Sequence, residues 1–208
     1  MRAWWLASAA VIAGAIACQR GSTSRAGPEA GLRDGDLIFQ ESTSQQSEMV
    51  RALTGSRWTH MGVVFVDHAG PFVLEATSPV KRTPFAKWIA RGRDGRYVVK
   101  RLRETQQLDQ GAVGRMRKLG NSWLGKPYDL QFRWDDGSLY CSELAHKLFA
   151  EAASVKLGEI EHASDMNLSD ERVQRALRKR FARGGFDPAE PVVTPDSIFN
   201  DEKLVVVE

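Results

Sequence analysis

Cysteine is scarce in this chain: Cys18 and Cys141 are the two thiols in 208 residues, beside four histidines. So few thiols exclude a scaffold stapled by disulfides. His60, His68, His146 and His162 show none of the spacing of a zinc site, so no metal or other cofactor is expected. A large excess of charge of one sign is missing as well. Lys and Arg number 29 against 26 Asp and Glu, a formal net charge of +3, with basic clusters only near residues 100–103 and 172–183. That balance is too mild for a nucleic-acid partner. No apolar run reaches the length of a comfortable membrane-spanning helix, and no internal repeat is present. What remains, 42% hydrophobic and 26% charged, suits one domain with a substantial core.

The longest apolar run lies at the start. Residues 1–17 carry one charge, Arg2, ahead of an apolar stretch that ends in small residues, the pattern of a secretory signal peptide. Ala15-Ile16-Ala17-Cys18 resembles a bacterial lipoprotein site, at which Cys18 becomes the acylated first residue. The alternative is an ordinary cleaved signal that leaves Cys18 as an incidental thiol. Gln19, rather than Asp, after the cysteine favours the outer membrane by the same resemblance. Residues 18–32, rich in Gly, Ser, Arg, Ala and Pro, read as a flexible tether. The expected organisation is therefore signal peptide 1–17, tether 18–32 and a single domain over 33–208. It faces the periplasm from a lipid anchor in the bacterial cell envelope, or is secreted if Cys18 is not acylated.

Within that domain the pattern predicts a short strand over 36–40 and a helix over 47–54 capped by Ser44 or Ser47. A hairpin follows, with β-branched and apolar arms over 60–66 and 71–76. Further on come a helix over 84–90 opened by Pro84, a strand over 97–102, and helices over 107–123, 139–153 and 169–181, with a last strand over 204–207. Strands clustered early and surrounded by helices give an α+β domain.

If Cys18 is acylated, Cys141 has no cysteine partner, and an unpaired exported thiol calls for a function. Cys141 opens an amphipathic helix, where the macrodipole and free N–H groups favour a thiolate. His60, at the start of the hairpin, is the candidate to share a proton with it. With the turn centred near Asp67 and His68, Glu75 is expected opposite His60, both side chains on one face, as a carboxylate that orients the imidazole. A slip of one residue would turn Glu75 away. Each of the three also has a structural reading: a small buried hydrophobe, a satisfied strand-start histidine and a solvated strand residue. His68 and His162 read as surface residues, while His146 and Glu143 point away from the thiol along the helix. Trp58 and Trp134 flank the two motifs and are expected to line the cleft.

Five short motifs occur in order: Gly35-Asp36-Leu37-Ile38-Phe39, Thr59-His60-Met61-Gly62-Val63, Val73-Leu74-Glu75-Ala76, Gly125-Lys126-Pro127-Tyr128-Asp129 and Tyr140-Cys141-Ser142-Glu143-Leu144. Together they resemble the YaeF/YiiX group of permuted papain-fold cysteine hydrolases, relatives of the NlpC peptidoglycan peptidases, over residues 34–207. The resemblance implies a circularly permuted papain-like fold in which an antiparallel sheet packs against helices that include the nucleophile helix. It also implies Cys141 as nucleophile, His60 as base and Glu75 as orienting residue.

The chemistry implied is acyl transfer through a thioester, with the Cys141 N–H as one oxyanion donor. The second donor is left among the hydroxyls of Tyr128 and Tyr140 and the amides of Gln45 and Gln46. Expected substrates are amides of cell-wall peptides or small amino-acid amides. Two alternatives stand beside this: lipid acyl hydrolysis or transfer, which a broad apolar groove at Cys141 would favour, and a silent binding module, which an inaccessible thiol or a misaligned His60 would favour.

Overall fold

The computed structural model of the protein describes residues 29–182 and 185–207. The expected signal peptide, Cys18 and most of the expected tether lie outside the described residues. Residues 31–208 form one unit. Strand β1 (Leu37–Ser42) leads into helix α1 (Gln45–Thr54), then β2 (His60–Asp67), β3 (Gly70–Glu75), β4 (Lys81–Pro84), α2 (Phe85–Ile89) and β5 (Gly92–Leu102). Helices α3 (Gln110–Ser122) and α4 (Cys141–Ala153) follow, then β6 (Glu161–His162), α5 (Glu171–Arg180), β7 (Pro191–Val192), α6 (Pro195–Phe199) and β8 (Leu204–Val206). Among the described residues no helix is long and apolar enough to cross a membrane.

Six strands make an antiparallel sheet in the order β4-β3-β2-β1-β5-β8, with β6 and β7 forming a separate small pair. Strand alternation divides the apolar residues between two faces. Leu37, Phe39, Met61, Val63 and Leu74 pack against Met116 of α3 and Leu144 and Leu148 of α4. Ile38, Val64, Val73 and Val99 face the other way, onto Phe85 and Trp88 of α2. A sheet covered on both sides needs strands without a polar face, and the central β1 is buried along Leu37–Gln40 accordingly. Helix α3 approaches closely at Gly120, where a Cβ would stand 2.5 Å from Leu74 Cδ2.

Local chemistry sets the element ends. The Ser44 hydroxyl accepts the Ser47 N–H to cap α1, and Gly55 closes it at φ +68°. Asp109 caps α3 by accepting the Ala112 N–H at 2.7 Å, and a 3₁₀ turn over Thr105–Leu108 occupies what the sequence reads as the helix's first turn. Asp36 of the first motif is fully buried and takes both Arg101 Nε and Nη2, at 2.6 and 2.7 Å, pinning β1 to β5. β4 and α6 are absent from the sequence reading, and β5 starts five residues earlier than expected at 97.

Candidate active site

The β2–β3 hairpin carries two of the expected residues at its open end. Its register differs from the expectation: Asp67 pairs with Gly70 and Val63 with Leu74, so Glu75 lies across from Gly62 rather than His60. The turn is centred between His68 and Ala69, one residue further along, which moves the pairing by two and keeps both side chains on one face. His60 reaches diagonally over Gly62, whose own Cβ would stand 3.3 Å from Glu75 Cβ and 2.8 Å from the Leu74 carbonyl oxygen. The His60 Nε2–Glu75 Oε2 distance is 2.6 Å.

Glu75 is fully buried, and both oxygens are engaged. Oε2 also accepts the Trp88 indole N–H at 3.0 Å; Oε1 accepts the Thr83 hydroxyl and the Arg91 guanidinium, each at 2.5 Å. Burial pushes this carboxyl up, but His60, Thr83 and Arg91 outweigh it and hold the pKa at about 2. The Trp88 ring also stacks on His60, centroids 5.8 Å apart. The imidazole, 12% exposed, interacts in turn with Cys141. Burial lowers its pKa, yet the hydrogen bonds and charges of Cys141 and Glu75 raise it to about 9, so the ring is an imidazolium at neutral pH.

Cys141 is the first residue of α4, and its neighbours fasten it to a single residue, Val193. The Val193 N–H donates to the Tyr140 hydroxyl at 3.1 Å, and the Ser142 hydroxyl donates to the Val193 carbonyl at 2.8 Å. Glu143 accepts the Tyr140 N–H at 3.2 Å and pairs with Lys147 at 2.9 Å; burial raises its pKa to about 7 against both partners. The thiol is 3% exposed and borders a narrow, mainly apolar cavity with Met49, Phe132, Leu177 and Val192. His60 borders a separate, wider cavity with Gln40, Ser42, Thr77 and Arg91. Tyr128 lines both.

The Gly125–Asp129 motif explains that placement. Gly125, at φ +87°, donates to the Val80 carbonyl, and the segment then runs beside the approach to Cys141 through a Tyr128–Leu139 bridge and an Asp129 N–H bond to Leu139. Burial and the nearby Cys141 raise the Tyr128 pKa well above its usual value, so the hydroxyl stays a donor.

The other expected residues are divided between the cavity walls and the core. Tyr140 packs against Phe132 with its hydroxyl on Val193 and also lines the Cys141 cavity, whereas Trp58 stacks on Phe199, centroids 4.5 Å apart, outside both cavities. Trp134 packs on His146 behind the nucleophile helix, and His146 Nδ1 bonds the Leu157 carbonyl. Gln46 lines the His60 cavity. The Gln45 side chain lies outside the described residues. Thr83, Trp88 and Arg91 are partners of Glu75 that the sequence reading does not contain. Their signal was faint: one β-branched residue in an unrecognised four-residue strand, a tryptophan on a five-residue helix, and an arginine just beyond it.

The sequence of the family described as "Permuted papain-like amidase enzyme, YaeF/YiiX, C92 family" matches residues 31–208. The uncharacterized protein YiiX of Escherichia coli strain K12 is 35% identical over 173 residues, 83% of this chain and 84% of that protein. A crystal structure titled metalloprotein yiiX, from Escherichia coli O157:H7, superposes with a TM-score of 0.79 at 35% identity, covering 85% of this chain and 96% of the other. With the His-before-Cys order, the antiparallel sheet and the helix-borne thiol, these matches establish that the chain belongs to the permuted papain-like amidases of the YaeF/YiiX, C92 family.

Proposed function

We propose that the protein hydrolyses an amide by two-step acyl transfer, with Cys141 as nucleophile, His60 as acid and base, and Glu75 orienting His60. One observation carries this reading: a wholly buried carboxylate sits 2.6 Å from an imidazole that also interacts with Cys141. The thiolate adds to the carbonyl carbon; the C–N bond breaks as the His60 imidazolium gives its proton to the leaving amine. Neutral His60 then takes a proton from water as the oxygen attacks the thioester, the C–S bond breaks, and the acid leaves behind the thiolate and imidazolium. The Cys141 N–H, free of helix bonds at the first turn, and the Tyr128 hydroxyl are the oxyanion donors.

For the substrate we favour a cell-wall peptide or a small amino-acid amide, supported by the hydroxyl, amide and guanidinium side chains among the residues that line the His60 cavity. The lipoprotein-like segment ending at Cys18 supports a lipid-anchored enzyme facing the periplasm, with the tether supplying reach. The apolar cavity at Cys141 favours a second reading, lipid acyl hydrolysis or transfer. The relative titled a metalloprotein raises the question of a metal here. The residues present do not fit one: among the described residues no group of three or more His, Cys, Asp or Glu is disposed as a ligand set, and Glu75 has all its bonding capacity committed.

Protein lacking residues 1–18, treated with an electrophilic thiol probe across pH, should label rapidly at Cys141. Cys141→Ala should abolish labelling, and His60→Ala should slow it by about tenfold or more. Labelling at an ordinary free-thiol rate, indifferent to His60, would argue for a silent module instead. Mass spectrometry of muropeptide pools and lipid extracts incubated with the enzyme separates the two substrate readings.

A further inference from the structure

We infer that Arg180, together with Gln46, recognises a carboxylate on the leaving-group half of the substrate. This rests on the hydrolytic reading above and adds the chemistry of what departs.

Arg180 ends helix α5, and its guanidinium lies over the Phe132 ring, 5.6 Å from the centroid. Its Nη2 donates to the Gln46 amide oxygen. Two donors are then left over in one place: Arg180 Nη1 and Gln46 Nε2 are buried and have no hydrogen-bond partner among the described residues. Buried donors without acceptors are rare in folded proteins, and two on linked side chains mark a place where an acceptor belongs. A guanidinium fork and an amide N–H suit a carboxylate, which has two oxygens and no proton to lose.

No acidic side chain among the described residues makes an ion pair with Arg180. Asp129 acts on it only as a charge, and the Asp129 oxygens accept the Gln131 and Arg133 N–H groups. Burial lowers the Arg180 pKa, a cost that a bound anion would offset. Arg91, the cation that lines the His60 cavity, is already held by Glu75.

Position assigns the half of the substrate. Gln46, to which Arg180 donates, lines the cavity that His60 lines, and Tyr128 lines both that cavity and the apolar one at Cys141. His60 protonates the amine that leaves, so an anion held on this side travels with the amine. The acyl half is left to the apolar cavity.

The test needs no turnover. The full chain carrying Cys141→Ala, in detergent, is titrated calorimetrically with N-acetyl-Ala-Ala and with the same compound as its C-terminal carboxamide. The carboxylate should bind more tightly by about tenfold. Arg180→Met, which keeps the packing on Phe132, should erase that preference, and Arg180→Lys should restore part of it. If the methionine variant fails to fold by circular dichroism, Gln46→Leu is read in its place and should weaken the preference. Equal affinities with Arg180 present, absence of binding, or a preference that survives these changes overturns the assignment. Thiol labelling tests the hydrolytic reading separately, so the two failures are distinguishable.

Discussion

Glu75 accepts four side-chain hydrogen bonds with two oxygens, and three of the donors, His60, Arg91 and Trp88, are nitrogen groups that favour its charged form. The carboxylate in turn favours the imidazolium, so removing its charge acts on His60 first. In Glu75→Gln the His60 pKa should fall from about 9 towards the ordinary imidazole value, and the alkaline limb of the kcat/KM profile should move acidward by about 1–3 units. A limb that stays in place would show that another group supplies the proton. At this scale alternation put His60 and Glu75 on one face from the sequence, as they are found, while Cys141 was singled out by motif order. Trp88, Thr83 and Arg91 were not legible, since their roles depend on a register that no local pattern encodes. Arg180 and Gln46 meet across 134 positions of sequence, beyond any spacing argument.

The hairpin is the element on which the site depends, because one turn sets the positions of both His60 and Glu75. The expectation of Glu75 opposite His60 failed by two residues and still gave the right face, since a shift of two preserves alternation while a shift of one would not. Gly62 then has a physical purpose: with no side chain between them, the ring can cross to the carboxylate. Gly62→Ala would place a Cβ 2.4 Å from Val73 Cγ1 and 2.8 Å from the Leu74 carbonyl oxygen. Such overpacking costs about 1–3 kcal/mol. The measurement is urea denaturation beside turnover, and activity should fall further than stability explains, because the ring is displaced. Loss of stability with full activity per folded molecule would mean that the gap at Gly62 serves packing alone. Helices α1, α3, α4 and α5 were legible through caps and apolar spacing; α6 and β4 were not, being too short to show a period.

Across the whole molecule the sheet separates the parts that react. His60 and Glu75 alternate onto the face covered by α2, whereas Cys141 heads α4 on the opposite face, and all three sit at element ends, so the faces meet around the end of the sheet. Buried titratable groups gathered there should leave their mark on global stability. Glu75 has its pKa lowered to about 2, so its contribution is present above its usual value near 4.5 and is lost as pH falls through about 2. His60 is raised to about 9 from 6.5, so its contribution is full below 6.5 and is lost as pH rises through about 9. Glu143, raised to about 7 by burial, binds its proton more tightly when folded, and that advantage disappears between 4.5 and 7. Stability should therefore peak near pH 4.5 and decline above it in two overlapping stages, one from about 4.5 and complete near 7, the other from about 6.5 and complete near 9. Urea midpoints at intervals from pH 3 to 10 would trace the curve. Glu143→Gln, which keeps an acceptor for the Tyr140 N–H, should remove the stage near 7 and leave the one near 9, while Glu75→Gln should weaken the stage near 9. A midpoint that rises from pH 6 to 9 would contradict the burial of both groups in the states described.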